Sequence, residues 1–152
     1  MMDQLPQMMN PIDQVQTLLA GVLKGNKWFK AHKVEVIQQN KQDLAFLIKQ
    51  KMASLNHVAL VIGVDRMTNM FTGLECEITV TCTEHVMMNR AKQGFVTAID
   101  VCQAAIQLID GEWWHFLSME HTTEPETDIL QATATFKGLV DRKFQNPSME
   151  EN

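Results

Sequence analysis

The chain has 152 residues, 45% of them apolar and 20% charged, with a formal net charge of −5 and three cysteines. That length suits one domain with an ordinary core, and the composition is globular rather than disordered or fibrous. The acidic balance, with only 13 scattered basic residues, argues against a phosphate-neutralising surface; no apolar run nears the ~18 residues of a membrane span; and three cysteines fit neither a closed disulfide set nor a zinc module.

The first ten residues, "MMDQLPQMMN", hold four of the eleven methionines and lack the basic stretch and apolar core of a secretory signal. They are expected to form a flexible arm (1–10), followed by a domain over 11–142 and a flexible polar tail (143–152). "NPIDQVQTLLAGVLKG" predicts a helix: Asn10 can cap it, Pro11 suits the first helical position and Gly25 stands at its end. Ile12, Val15, Leu18, Leu19, Val22 and Leu23 recur at helical spacing. In "WFKAHKVEVIQQN", Val34 and Val36 alternate with Lys33 and Glu35, which predicts a short strand. "NKQDLAFLIKQKMASLN" returns to the helical period through Leu44, Leu47, Ile48, Met52 and Leu55. "HVALVIGV", residues 57–64, is a β-branched run with little alternation, as expected of a central strand covered on both faces. "DRMTNMFTG" is expected to be a turn or loop.

"LECEITVTCTEH", residues 74–85, raises the main chemical question, because it places two cysteines and a histidine within ten positions. Side chains of a strand alternate faces. Leu74, Cys76, Ile78, Val80 and Cys82 then share one face, and Glu75, Glu77, Thr79, Thr81 and Thr83 the other. Five apolar against five polar residues without an error mark a half-buried strand. Along it the two cysteines stand roughly 20 Å apart, whereas a disulfide needs Cα atoms within about 7 Å and zinc ligands must converge. Cys76 and Cys82 therefore read as small core hydrophobes, and His85 falls on the opposite parity. No metal site is expected, and free thiols suit a reducing compartment.

Residues 92–109 predict a third helix, with Phe95, Ile99, Cys102, Ile106 and Ile109 at spacings of three and four and Gly111 as its stop. "WWHFLSMEH" predicts a strand and "TTEPETD" a polar acidic loop. "ILQATATFKGLV" predicts a final strand, with Leu130, Ala132, Ala134 and Phe136 on one face and Gln131, Thr133, Thr135 and Lys137 on the other. The order helix, strand, helix, strand, strand, helix, strand, strand gives an α+β single domain: a mixed, mostly antiparallel sheet packed against two to three helices.

Little here reads as a catalyst. His32, His57, His85, His115 and His121 show no HxxxH, HxH or HExxH spacing, and the seven glycines form neither a GxGxxG nor a GK[ST] loop. "KMASLNH" lacks the GxSxG turn of hydrolases. His115 and His121 lie near Glu112, Glu120, Glu124 and Glu126, but acid–base chemistry would need nucleophile, base and oxyanion donors to converge. An exposed acidic loop is the simpler reading, and no cofactor is expected. Trp113 and Trp114 are adjacent, so on a strand one faces inward and one outward, and an outward Trp can anchor an interface. Thr79, Thr81 and Thr83 on one strand, with Thr133 and Thr135 on another, can share a sheet surface suited to water or to a neighbouring subunit.

The strand "ECEITVTCTEH" leads into "NRAKQGFVTAIDVCQAAIQLIDG", and that helix leads into "HFLSMEHTTEPETDILQATATFKGLV". With the N-terminal helix in front, this order over roughly Pro11 to Arg142 resembles the tail-terminator and tail-completion proteins of long-tailed bacteriophages, the Mu-like prophage branch above all. The resemblance lies in element order and texture and not in a motif. It implies an α+β domain that closes into a homo-oligomeric ring, commonly a hexamer, capping the tail tube and joining it to the head. It further implies no catalysis and no cofactor, and it offers no catalytic residues to carry over. The implied partners are copies of the chain itself and the tail-tube and head-completion proteins. The implied location is the virion, and the bacterial host cytoplasm during assembly. Neither a membrane nor sequence-specific nucleic-acid binding is expected.

The interface is expected on strand edges, on the threonine face, at Trp113 or Trp114, and in the loop carrying Thr123, Glu124, Glu126 and Asp128. Two rivals stand beside this reading. One is a small ligand-binding or regulatory α+β domain with a pocket between sheet and helices; the other is an enzyme built around Glu112 to Glu126 with His115 or His121. A pocket lined by convergent polar groups would favour a rival. A closed apolar core with an extended polar sheet edge would favour assembly.

Overall fold

Residues 11–39 and 57–140 are described by a computed structural model of the chain; the expected arm, the helix expected over 40–56 and the expected tail lie outside the described residues. In chain order the elements are α1 (Pro11–Gly25), α2 (Lys27–Ala31), β1 (Glu35–Gln38), β2 (Ala59–Met70), β3 (Gly73–His85), α3 (Val86–Arg90), α4 (Ala98–Ile109), β4 (Trp114–Glu124) and β5 (Ile129–Val140). The strands form one sheet in the order β1–β2–β3–β5–β4. β1 runs parallel to β2 and every other pair is antiparallel. This is the mixed α+β arrangement that the sequence predicts.

Pro11 opens α1 and Gly25 closes it. The buried stripe is Val15, Gln16, Leu19, Ala20 and Leu23, while Ile12 and Val22 turn outward. Asn26 then accepts hydrogen bonds from the Trp28 and Phe29 amides at 2.9 and 3.3 Å, and this cap starts α2, a turn of helix that alternation at Val34 and Val36 does not announce. α2 sends Phe29 into the core.

β2 is longer than the 57–64 run suggests. Its first half is buried on both faces, as expected of a covered strand. It continues through a bulge between Val64 and Arg66 to Met70, so the segment expected to be a loop is strand up to the tight turn at Phe71 and Thr72. Cross-strand polar pairs hold this half: Arg66 bonds Glu77 at 2.5 Å, and the Thr79 hydroxyl donates to Asp65 at 3.0 Å. An exposed strand can be stabilised this way with no apolar alternation to reveal it.

β3 covers the whole of the questioned stretch. Cys76, Ile78, Val80 and Cys82 are fully buried in the layer between sheet and helices. The helix expected over 92–109 begins only at Ala98, and a short helix that the periodicity does not announce, α3, precedes it. α3 ends at Arg90, the chain turns through Gly94, which takes a left-handed φ of 72°, and Thr97 and Asp100 form a reciprocal capping box that starts α4 at Ala98. Phe95 therefore leaves the helical stripe and is exposed. The core lies between one sheet face and the helices, with α1 on β1 and β2 and α4 across β3, β5 and β4. A smaller cluster of Ile37, Ala59 and Val61 lies on the other face.

Candidate functional site

β4 ends the sheet, and its only strand partner among the described residues is β5. Asp110 closes the beginning of this edge: its carboxylate accepts from the Phe116 amide at 2.9 Å, and Gly111 N–H donates to the Trp114 carbonyl at 2.8 Å. Beyond that, the eleven-residue strand is exposed along almost its whole length. Trp114 and the half-buried Met119 are the exceptions. Trp114 is buried (6% exposed), and its ring lies on Gly138 of β5, where no side chain intervenes. Trp113, immediately before the strand, is 69% exposed. A bulge at Leu117, between Phe116 and Ser118, breaks the register and leaves Leu117 exposed, while Phe116 meets Phe136 edge to face at 5.9 Å.

The acidic residues lie at the other end of this strand. Thr123 and Glu124 belong to β4 itself, not to a loop, and the turn is only Pro125 to Asp128. The turn is closed by Asp128, whose amide donates to the Glu124 carbonyl at 2.8 Å and whose φ is 58°. The Asp128 carboxylate accepts from the Met87 amide at 2.7 Å and stands 3.6 Å from the His85 ring, so it ties the turn to the start of α3. Glu124 and Glu126 are exposed. Trp113 and Thr123 are thus about 30 Å apart along one strand. The structure does not gather the predicted interface residues into one patch; it places them at the two ends of one exposed edge.

The threonines share a surface as expected. Thr79 faces Thr135 and Thr81 faces Thr133 across β3 and β5, with a 3.5 Å hydroxyl contact in the second pair. Ser118, Glu120 and Thr122 of β4 extend that face. The candidate acid–base set is not assembled. His115 lies opposite Lys137 on the outer face, whereas His121 lies opposite Ala132 on the inner one.

Three features went unread in the sequence. Glu84 is fully buried on the inward parity of β3, and it accepts from Asn89 at 2.6 Å, Arg90 at 3.0 Å and the Ala98 amide at 2.9 Å. This cluster ties α3 and the beginning of α4 to the end of β3. A carboxylate at an apolar-parity position, followed within six residues by Asn89 and Arg90, was the available signal. The second feature is sulfur chemistry in the core. Cys82 on β3 and Cys102 on α4 interact in the core; burial and then Cys102 push the Cys82 thiol well up, while Cys82 draws the Cys102 thiol down. Burial and Glu75 likewise push Cys76 up to about 11, so Cys76 and Cys82 are not poised as thiolates.

The third is a basic recess of about 220 Å³ between the end of α2, the residues before β2 and the α3–α4 connection. His32, Lys33, His57, Asn89 and Lys92 line it, and none of the described lining residues is acidic. The Lys92 ammonium hydrogen-bonds the His57 ring at Nδ1. Burial and then the Lys92 and Lys33 charges lower the His57 pKa, and burial and Lys33 lower that of Lys92. A larger open groove, lined by Trp28, Asp100, Gln103 and Gln107 among others, runs between α2 and α4.

No family model matches the chain, and neither does any curated protein. The fold is similar to that of a chain in the solved structure of the virion of a native gene transfer agent (GTA) particle. The TM-score is 0.55, with 13% identity, over 84% of this chain and 95% of that one. At such identity the likeness speaks for the fold.

Proposed function

We propose that this chain is a non-enzymatic structural protein of a phage-like particle, a tail terminator or head–tail connector that acts by closing into a ring of identical copies. The observation that carries this reading is the open β4 edge, long and exposed, with Trp113, Phe116 and Leu117 presented at one end. An uncovered edge with apolar side chains is a template for pairing with another chain. A ring requires a heterologous contact whose rotation closes, and a sheet that ends in two unlike edges offers one. The fold shared with almost the whole of a virion chain agrees with this, as does a closed apolar core. The proposed location is the virion, and the proposed partners are further copies, the tail tube and the head-completion proteins.

In this reading Trp113 is the anchor, Trp114 belongs to the core, and Thr123, Glu124, Glu126 and Asp128 form a polar second contact at the far end of the edge. Native mass measurement tests it. The wild-type chain should give a closed oligomer, and Trp113→Ala should weaken association by about 30-fold or more, the scale of a hot-spot residue. A wild-type monomer at high concentration would remove the proposal.

A second reading, a small ligand-binding or regulatory domain, is favoured by one observation, the convergence of basic groups in the recess at His57. That recess is compatible with either function.

A further inference from the structure

We propose that the recess lined by His32, Lys33, His57 and Lys92 is a binding site for a single compact oxyanion carrying a phosphate or sulfate group. Three structural facts converge on it. First, the recess gathers two ammonium groups and two imidazoles from three separate parts of the chain, although the protein as a whole is acidic. Like charges brought together repel, and an anion between them turns that repulsion into attraction. Second, the groups have no acidic neighbour among the described lining residues. The nearby carboxylate, Glu84, is buried and occupied by Asn89, Arg90 and the Ala98 amide, and it is absent from the wall. Asn89 spends its amide on Glu84 and on the Val96 carbonyl at 2.8 Å, so it shapes the wall without neutralising it.

Third, the concavity suits a small ion. A volume of about 220 Å³ has room for one tetrahedral oxyanion with part of its hydration shell. Lys33 holds its position with a left-handed backbone (φ 54°) just after α2, which directs the chain from helix to β1 at the mouth of the recess. Lys92 sits in the turn that Gly94 makes possible. Backbone turns thus bring both lysines to the recess, and the His57 ring accepts from Lys92.

The arrangement gives the site a pH response. His57 is held toward its neutral form by burial, Lys92 and Lys33, and His32 is the other imidazole in the lining. An anion seated among them favours the imidazolium, in which Nδ1 takes up a proton and gives up its bond from Lys92 to donate toward the anion. Binding and protonation of His57 are linked, so affinity rises as pH falls through the His57 titration.

The test is an NMR titration of the histidine rings of the full chain at constant ionic strength, in chloride and then in sulfate, whose charge is constant across the range. Inorganic phosphate is a second probe. Sulfate is expected to raise the His57 pKa by about one unit, equivalent to tenfold tighter binding to the protonated form, and to leave the distant His115 unmoved. Lys92→Met and Lys33→Met, each checked for an unchanged amide spectrum, should each abolish most of the shift. A short oligonucleotide distinguishes a free ion from a polymer backbone: an effect from the oligonucleotide without one from sulfate or phosphate would make the lysines part of a nucleic-acid track and overturn the site. Identical His57 titrations in chloride, sulfate and phosphate would overturn it too.

Discussion

Gly138 shows how one side chain's absence organises the exposed edge. A Cβ there would stand 2.4 Å from the Trp114 ring at Cε3 and 2.7 Å from the Trp113 carbonyl oxygen. The ring could in principle rotate away; the backbone oxygen could not without moving β4. Gly138→Ala is therefore expected to destabilise the fold by about 1–3 kcal/mol, the usual cost of overpacking, read as a lower urea midpoint at unchanged slope. An unchanged midpoint would show that Trp114 does not depend on this contact. The same pair shows what a sequence can and cannot disclose about a residue. Parity requires that one of Trp113 and Trp114 face inward, but which one depends on β5, where Gly138 leaves room opposite Trp114. That partner lies more than twenty residues away. Glu84 is the opposite case. Its inward parity was fixed by the same alternation that identified the strand, and its charge made it an evident exception in need of partners.

At the scale of elements, strands were legible where one face is buried and obscure where both faces meet water. The alternation of β3 is almost free of errors, and it stands in the structure from Gly73 to His85. The outer half of β2 and the distal end of β4 carry polar residues on both sides, so their sequences read as loops although their backbones pair. The late start of the helix expected over 92–109 has a different cause. Helical spacing continues upstream through Phe95, but Thr97 and Asp100 satisfy the first free amides of α4 reciprocally, with both bonds at 3.0 Å, and this fixes the boundary. Replacing Thr97 by Ala should destabilise the domain by about 1 kcal/mol, within the usual 0.5–2 range for a lost cap. Asp100→Ala should cost less in the Thr97→Ala background than alone, because the two side chains act as one device. Strictly additive losses in denaturation would show that they do not.

On the scale of the molecule, the surface is polarised along the strands. The exposed apolar side chains on the sheet itself gather at one end: Phe71 at the β2–β3 turn, Leu139 near the end of β5, and Trp113, Phe116 and Leu117 at the beginning of β4, while Met87 of α3 is exposed at the other. The opposite end carries Glu124, Glu126 and Asp128. A copy added at the β4 edge would bury the first group and leave the second to set alignment, since rim charges govern orientation and encounter more than affinity. Association that involves only the folded state must raise apparent stability with concentration. At a hundredfold excess over the dissociation constant the gain is about 2.7 kcal/mol, or roughly 5–10 °C in a domain of this size. Wild-type melting temperature should climb by that order across a wide dilution series. Leu117→Lys puts a charge on an exposed, bulged position, where the folded monomer tolerates it within about 0.5 kcal/mol but a dry contact does not. It should flatten the concentration dependence while leaving the dilute-limit melting temperature unchanged. If the wild type already melts at one temperature throughout the series, the edge is left open in solution, and the apolar end must be covered by a different protein.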